Sequence, residues 1–136
     1  MRILLDTNII LDIALKREPF YEPSARILRA SDFDRTHLFI TASIATDLYY
    51  VLSREKGPDT ARAFIADLLA AVDVCGVDKD VLLEAVNSDF PDFEDAVQNF
   101  AAAGGAIDVI VTRNEADFAG SALTVLAPCE LVEQHL

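Results

Sequence analysis

The sequence predicts an α/β fold in which helices surround a parallel β-sheet. Short apolar runs alternate with longer amphipathic stretches throughout the 136 residues, and strands that are buried on both faces read as such continuous apolar runs. Glycine and proline residues separate these segments. Hydrophobic residues make up 52% of the chain, which is enough for a buried core and argues against extended disorder.

The apolar runs predict strands at Ile3–Leu5, Leu38–Ile40, Val72–Cys75, Ile107–Val111 and Thr124–Leu126. The amphipathic stretches between them predict helices at Asn8–Leu15, Pro23–Ser31, Ser43–Arg54, Asp59–Ala71, Lys79–Asn87 and Phe93–Ala103. Pro19 and Pro23 punctuate the first connection between helices, Gly57-Pro58 the next, and Gly104-Gly105 ends the helix before the fourth strand. The length matches one domain over residues 1–136.

Charge is distributed unevenly along the chain. The net charge is −12, which argues against a protein that grips nucleic acid through its overall charge. Residues 80–136 contain 11 acidic residues and one basic residue, Arg113. Such a bias is typical of a solvated helix face, and it also suits a divalent-metal site.

The remaining composition excludes several classes of protein. Cys75 and Cys129 are far apart in the chain and have neither a CxxC pattern nor a nearby histidine, so they predict neither disulfides nor a zinc site. Both are expected to be small buried residues. No apolar run approaches the roughly 20 residues of a membrane span, so a cytoplasmic protein is expected.

Acidic and polar side chains follow the predicted strands. Asp6 directly follows the first strand in the sequence, and Asn114 and Asp117 come shortly after the fourth strand. Because the carboxyl ends of parallel strands meet at one edge, these segments are expected to open onto the same edge, where open sheets bind ligands. Asp47 lies one turn into the helix after the second strand and is directed to the same edge.

Helical periodicity places further acids beside the core. At about 100° per residue, the helix from Ser43 is predicted to bury Ile44, Leu48, Val51 and Leu52. The apolar face of the sixth helix is predicted to contain Phe93, Ala96, Val97, Phe100 and Ala103. Asp92, Asp95 and Asn99 line up beside that face at i, i+3 and i+7.

Clustered carboxylates are suited to hard divalent cations. Mg²⁺ and Mn²⁺ prefer oxygen ligands, and such ions activate water and neutralise phosphate charge during attack on a phosphodiester. The residues therefore predict metal-dependent phosphodiester hydrolysis. Taken singly, each also has a structural explanation: Asp6, Asp92 and Asp95 suit helix N-termini, and Asn114 and Asp117 suit turns.

Four segments resemble the successive motifs of PIN-domain nucleases, in the same order and with similar spacing. They are Leu5-Asp6-Thr7-Asn8-Ile9, Thr46-Asp47-Leu48-Tyr49-Tyr50, Asp92-Phe93-Glu94-Asp95-Ala96 and Val111-Thr112-Arg113-Asn114-Glu115-Ala116-Asp117-Phe118. The resemblance implies a single PIN domain over residues 1–136, a three-layer α/β/α sandwich with a five-stranded parallel sheet. Many single-domain members are VapC-type toxins of toxin–antitoxin pairs, which cut RNA with one or two Mg²⁺ or Mn²⁺ ions and are held inactive by an antitoxin.

The resemblance implies a role for each matching position. Asp6 and Asp95 would be the firm metal ligands, and Asp47 stands where many members have Glu, so its shorter side chain favours ligation through water. Many members have Asp at the position of Asn114, so Asp117 is the alternative fourth acid. The predicted catalytic and metal-binding residues are Asp6, Asp47, Asp95 and Asp117. The predicted supporting residues are Asn8, Asp92, Thr112 and Asn114, of which Asn8 and Thr112 would orient ligands or water.

Other functions of α/β domains fit less well. A receiver-type phosphoacceptor needs a lysine after a late strand, and the last lysine here is Lys79. Aspartyl phosphatases need DxD where this chain has Asp6-Thr7-Asn8, and no Gly-rich phosphate loop is present. A catalytically inactive PIN-like RNA- or protein-binding module remains as the alternative, because Asp47 and Asn114 depart from the family pattern.

Basic and apolar side chains suggest where partners bind. The candidate RNA contacts are Lys16, Arg17, Arg54 and Lys56, whereas Arg26 and Arg29 fit a solvated surface better. A homodimer would double this supply of positive charge. The antitoxin is implied by the resemblance, and the apolar residues offered to it, which suit the core equally well, are Ile9, Ile13, Phe20 and Tyr21.

Overall fold

The structure is a computed structural model that describes residues 1–32 and 35–136. The strands are β1 (Arg2–Leu5), β2 (His37–Thr41), β3 (Asp73–Cys75), β4 (Val109–Val111) and β5 (Thr124–Leu126). The helices are α1 (Thr7–Ala14), α2 (Tyr21–Arg29), α3 (Ala42–Lys56), α4 (Pro58–Ala71), α5 (Lys79–Val86), α6 (Phe93–Gly104) and α7 (Pro128–His135). Short 3₁₀ turns lie at Ala30–Asp32 and Glu115–Phe118.

The five strands form one parallel sheet in the order β3-β2-β1-β4-β5. The chain builds outward from β1 to β2 and β3, and then returns to the other side of β1 with β4 and β5. The strand order therefore reverses between β1 and β4. In open α/β sheets, the crevice beyond the carboxyl ends of the strands at this reversal is where ligands bind.

Both faces of the sheet are covered, which explains the continuous apolar runs of the strands. Ile3 and Leu5 of β1 pack into a core beneath the helices on one face, while Leu4 packs into a second core against α6. The first layer contains α1, α2, α3, α4 and α7, and the second contains α5 and α6. The predicted three-layer α/β/α sandwich with a five-stranded parallel sheet is confirmed.

Side-chain caps set the starts of several helices. The Thr41 hydroxyl accepts from the Ile44 amide at 3.4 Å at the start of α3. The Asp78 carboxylate accepts from the Val81 amide at 2.9 Å at the start of α5. Gly57 ends α3 with a φ of 89°, a conformation that glycine adopts without strain. These positions agree with the predicted boundaries to within about two residues.

Expectations about burial were wrong for four residues. Phe93 is 51% exposed and Ala103 is exposed, because α6 packs against both the sheet and α5 and so buries a different arc. That arc contains Ala96, Val97, Gln98, Asn99, Ala101 and Ala102. Val51 is only partly buried because it borders an open cavity. Cys129 is exposed because α7, a helix that the sequence analysis missed, buries Pro128 and Leu131 instead.

Every helix in the described part of the chain is too short or too polar to span a lipid bilayer.

Candidate active site

A cavity of about 370 Å³ lies at the carboxyl edge of the sheet, at the reversal of strand order. The acidic residues that line it are Asp6, Asp47, Glu94 and Asp95. The other polar residues that line it are Thr7, Asn8, Tyr50, Gln98 and Asn114. The structure thus brings together aspartates from β1–α1, α3 and α6, segments that are far apart in the sequence.

Asp6 is the most constrained of these acids. It is 5% exposed, and its carboxylate accepts from the Thr7 amide at 2.7 Å and from the Thr112 hydroxyl at 2.7 Å. Its own amide donates to the Val111 carbonyl at 3.0 Å. The register that pairs Leu5 with Val111 places Asp6 and Thr112 side by side. Sheet pairing therefore fixes the orientation of this carboxylate.

Thr112 also holds the segment that follows β4. Its hydroxyl oxygen accepts from the Asn114 amide at 3.0 Å while its proton goes to Asp6. The side chain is completely buried. The hydroxyl therefore connects the ends of β1 and β4. The role of Thr112 in orienting metal ligands or water stays a prediction.

The sixth helix supplies two acids to the cavity. Asp92 caps this helix, since its carboxylate accepts from the Asp95 amide at 3.0 Å. That cap places Glu94 and Asp95 in the first turn of α6, with their side chains toward the cavity. Asp92 is exposed, and its position supports the helix start that orients Asp95.

The carboxylates of the cavity influence each other electrostatically. Burial is the largest cause of a rise in the Asp95 pKa to about 7, and nearby carboxylates add to it. Those carboxylates are Asp6, Asp92, Asp117 and Glu94. The Asp47 charge is the largest cause of a raised pKa at Glu94, followed by burial. The carboxylates of the site therefore repel one another, and a bound dication would reduce that repulsion.

Asn114 and Asp117, the two alternatives for the fourth polar position, lie in different places. Asn114 lines the acidic cavity. Asp117 is exposed in the 3₁₀ turn Glu115–Phe118 and lines a neighbouring cavity with Phe90 and Gly120. Its charge nevertheless contributes to the raised pKa of Asp95. The ligand roles of both residues stay predictions.

The donor set fits a hard dication. Carboxylate and amide oxygens are the ligands that Mg²⁺ and Mn²⁺ accept, and the Asn8 Oδ1 and Gln98 Oε1 atoms are buried with no hydrogen-bond partner in the described structure. Among residues 1–32 and 35–136, no group of three or more Asp, Glu, His or Cys side chains is arranged to ligate one metal ion directly.

Glu94 and Gln98 were missed by the sequence analysis. Glu94 falls within the Asp92-Phe93-Glu94-Asp95-Ala96 motif, so the sequence contained a signal for it. Gln98 follows Asp95 by almost one helical turn, which is the spacing of residues that share a helix face. The predicted third member of that stripe, Asn99, instead accepts a hydrogen bond from the Ser121 hydroxyl.

An ion pair between a buried aspartate and a partly buried arginine adjoins the site and was also missed. The Asp12 side chain is completely buried and receives two hydrogen bonds from Arg113, at 2.7 Å from Nε and 3.2 Å from Nη2. The Arg113 guanidinium lies 4.0 Å from the centre of the Phe20 ring. This bidentate pair connects α1 to the segment that contains Thr112 and Asn114.

One of the four predicted RNA contacts, Arg54, contacts a residue that lines the acidic cavity. Arg54 lies on α3 and donates to the Tyr50 hydroxyl at 3.3 Å. Tyr50 is 62% exposed and lines the acidic cavity, so Arg54 is the predicted base beside the site. Arg17 lies 3.9 Å from the Asp12 carboxylate. Lys16 and Lys56 are exposed.

The apolar residues offered to an antitoxin are not equally accessible. Ile9 is completely buried and belongs to the core. Ile13 and Tyr21 are partly buried, and Phe20 is 37% exposed. Of the four, Phe20 therefore presents the largest exposed fraction to a partner.

The fold and this cavity together define a class of protein, and comparison with known proteins identifies it. The family model for the PIN domain matches residues 2–116. This chain belongs to the PIN-domain family. No curated protein sequence matches it significantly.

Solved structures with the same fold come from several organisms. The chain resembles VapBC2 from Rickettsia felis bound to a promoter DNA fragment, with a TM-score of 0.72, 14% identity, and coverage of 93% of this chain and 98% of that chain. It resembles a toxin–antitoxin complex from Klebsiella pneumoniae with a TM-score of 0.71, 20% identity, and coverage of 93% and 97%. It also resembles VapC20 from Mycobacterium tuberculosis, a Sarcin-Ricin loop cleaving toxin, with a TM-score of 0.70, 18% identity, and coverage of 88% and 96%.

Proposed function

We propose that this protein is a metal-dependent endoribonuclease and the toxin of a type II toxin–antitoxin pair. One observation carries the proposal: Asp6, Asp47 and Asp95 come from three distant segments and line one cavity at the reversal of strand order. Membership of the PIN-domain family supports it. The Sarcin-Ricin loop cleaving activity of VapC20 supports RNA as the substrate class.

The cofactor in this proposal is Mg²⁺ or Mn²⁺, as one or two ions. Asp6 and Asp95 would hold the cation, with Asp47 and Asp117 as further acids. A dication bound there supplies charge neutralisation for the phosphate and activates water. The raised pKa of Asp95 indicates that cation binding and loss of its proton are coupled, because only the ionised carboxylate is a good ligand.

The protein's own residues orient the acids and offer contacts to the substrate. Thr112 donates to Asp6 at 2.7 Å and so keeps that carboxylate turned toward the end of β4. Asp92 caps α6 and positions the Asp95 backbone. Tyr50 and Arg54 on the rim offer an aromatic face and a positive charge to a single RNA strand, the combination that unpaired RNA favours.

We place the protein in the cytoplasm as a single PIN domain over residues 1–136, with a small antitoxin as its partner. The toxin–antitoxin complexes among the structures of similar fold support that partner. An amphipathic helix of the antitoxin would use exposed apolar side chains such as Phe20. A homodimer would place two sets of Arg54 and Lys56 beside the two acidic sites and so double the number of basic side chains available to an RNA strand.

Cleavage of total RNA tests the proposal. The wild-type protein is expected to cut RNA with Mg²⁺ or Mn²⁺ and to be inactive in EDTA. Asp6→Asn and Asp95→Asn are expected to abolish cleavage with unchanged circular dichroism. Asp67→Asn is the matched control, because it removes one exposed carboxylate on α4 and should leave cleavage intact.

The outcome also separates the enzyme from the inactive binding module. A wild-type protein that neither cuts RNA nor gains thermal stability with Mn²⁺ would contradict the nuclease and support the binding module. Cleavage that persists in Asp6→Asn and Asp95→Asn would indicate a different site or a contaminating nuclease.

A further inference from the structure

Gln98 is a buried polar residue in the wall of the acidic cavity. It lies on α6, three residues after Asp95, and is 5% exposed. Residues at this spacing project from the same side of a helix. The side chain therefore accompanies the Asp95 carboxylate along one wall of the site.

The amide of Gln98 has an unmet hydrogen-bonding requirement. Its Oε1 atom is buried and accepts no hydrogen bond from any residue that the structure describes. The neighbouring Asn99 is equally buried at 5% exposed, yet its Oδ1 accepts from the Ser121 hydroxyl. An unpaired buried acceptor forfeits its hydration without compensation. Because Gln98 also lines the acidic cavity, a ligand bound there would be in place to supply the missing donor.

Asn8, on α1, also has a side-chain oxygen with an unmet hydrogen-bonding requirement. Its Nδ2 donates to Asp6 at a long 3.5 Å, while its Oδ1 is buried without a partner in the described part of the chain. Both amides line the acidic cavity. Two neutral acceptors thus accompany the carboxylates of Asp6 and Asp95.

The chemistry of an acceptor restricts what it binds. Phosphate oxygens of RNA also accept, so they do not satisfy a carbonyl oxygen. Water molecules on a hydrated dication donate strongly, and Mg²⁺ usually retains several of them in protein sites. We propose that Gln98 is a positioning residue whose carbonyl oxygen accepts from the coordinated water of a dication in this cavity, with Asn8 assisting. The inference rests on the proposed metal-dependent function and extends it to residues outside the acid set.

The test compares metal affinity in variants that keep or remove the acceptor. Gln98→Met keeps the length of the side chain and removes its hydrogen-bonding groups, so Mn²⁺ affinity measured by calorimetry is expected to fall about 10- to 100-fold. Gln98→Glu retains acceptor oxygens and is expected to bind Mn²⁺ at least as tightly as the wild type. The Mg²⁺ concentration for half-maximal RNA cleavage should rise in Gln98→Met, with activity recovering at high Mg²⁺.

A second buried, unpartnered oxygen provides a matched control. Ser24 is completely buried on α2, its Oγ has no hydrogen-bond partner in residues 1–32 and 35–136, and it lies outside the residues that line the acidic cavity. Ser24→Ala removes an orphaned acceptor without touching the site. Mn²⁺ affinity should remain that of the wild type in Ser24→Ala.

The possible results separate this inference from the proposed function. If the wild type binds Mn²⁺ and cuts RNA while Gln98→Met binds Mn²⁺ equally well, the role of Gln98 is overturned and the nuclease stands. Equal losses in Gln98→Met and Gln98→Glu would also overturn it, because the acceptor would then not be responsible. A wild type that binds no Mn²⁺ contradicts the proposed function itself. If Gln98→Met does not fold by circular dichroism, Gln98→Ala replaces it in the same titration.

Discussion

The Asp95 carboxylate is expected to destabilise the metal-free protein at neutral and alkaline pH. Burial of its side chain, and after that the charges of the neighbouring carboxylates, raise its pKa to about 7 from an ordinary value of 3.8. Asp95→Asn removes this charge and keeps the size and shape of the side chain. We therefore expect the variant to be more stable than the wild type in EDTA at pH 8.

The magnitude follows from the change in proton affinity. Each tenfold change is worth about 1.4 kcal/mol, so the upper limit at pH 8 is about 4 kcal/mol. Solvent screening of a partly buried group reduces the expected gain to about 1–2 kcal/mol. Because the folded protein binds the Asp95 proton more tightly than the unfolded chain, the penalty is absent below the ordinary pKa of 3.8. It grows as the pH rises toward about 7 and is complete above that.

Urea unfolding followed by circular dichroism measures this difference in EDTA at pH 5 and pH 8. The stabilisation by Asp95→Asn should be clearly larger at pH 8. Asp67→Asn is the control for the general effect of removing one negative charge from a protein of net charge −12. A gain that is equal at both pH values, or no larger than that of the control, would refute the reasoning.

The remaining predictions concern the ion pair and the packing of α6. Arg113→Met leaves the buried Asp12 carboxylate without its bidentate partner, while Arg17 remains 3.9 Å away. Because the Arg113 side chain is itself 27% exposed, the free energy of unfolding is expected to fall by about 3 kcal/mol, the lower end of the range for breaking a buried pair. Adding Asp12→Leu should recover most of this loss in urea unfolding, and a loss under about 1 kcal/mol would contradict the pairing of Arg113 with the buried Asp12 carboxylate. Gly105→Ala places a Cβ atom 2.8 Å from the Cys75 Sγ atom, so it is expected to cost about 1–3 kcal/mol through overpacking. Gly104→Ala has open space around the new atom and should be neutral or stabilising by up to about 1 kcal/mol. A melting temperature lower for Gly104→Ala than for Gly105→Ala would contradict the packing argument.

The sheet and most helices could be predicted because their signals are local. The central strands β1, β2 and β4 are mostly buried on both faces, so their apolar runs are continuous and short. The caps Thr41 and Asp78 lie within two residues of the predicted helix starts. The helix α7 was missed because its eight residues, Pro128–His135, contain few apolar positions. Its burial depends largely on Leu131, which packs into the core of the first layer.

The acids of the site were predictable to the extent that sheet topology constrains them. A residue directly after a parallel strand must lie at the carboxyl edge, so the placement of Asp6 follows from the strand prediction alone. Periodicity placed Asp47 and Asp95 on the correct helices. It assigned α6 a single apolar face, whereas that helix packs on two elements, so the burial of Gln98 was not foreseen.

The chain's own pattern of apolar runs, caps and turn residues was sufficient for the α/β class, the strands, the first six helices and the segments that carry the acids. These features depend on neighbours within a few residues, which a sequence displays directly. The pairing of Asp12 with Arg113, the exposure of Cys129, the separate positions of Asn114 and Asp117, and the buried amide of Gln98 depend on which distant elements pack together. That arrangement follows from strand order and helix contacts across the whole molecule, so it became visible only in three dimensions.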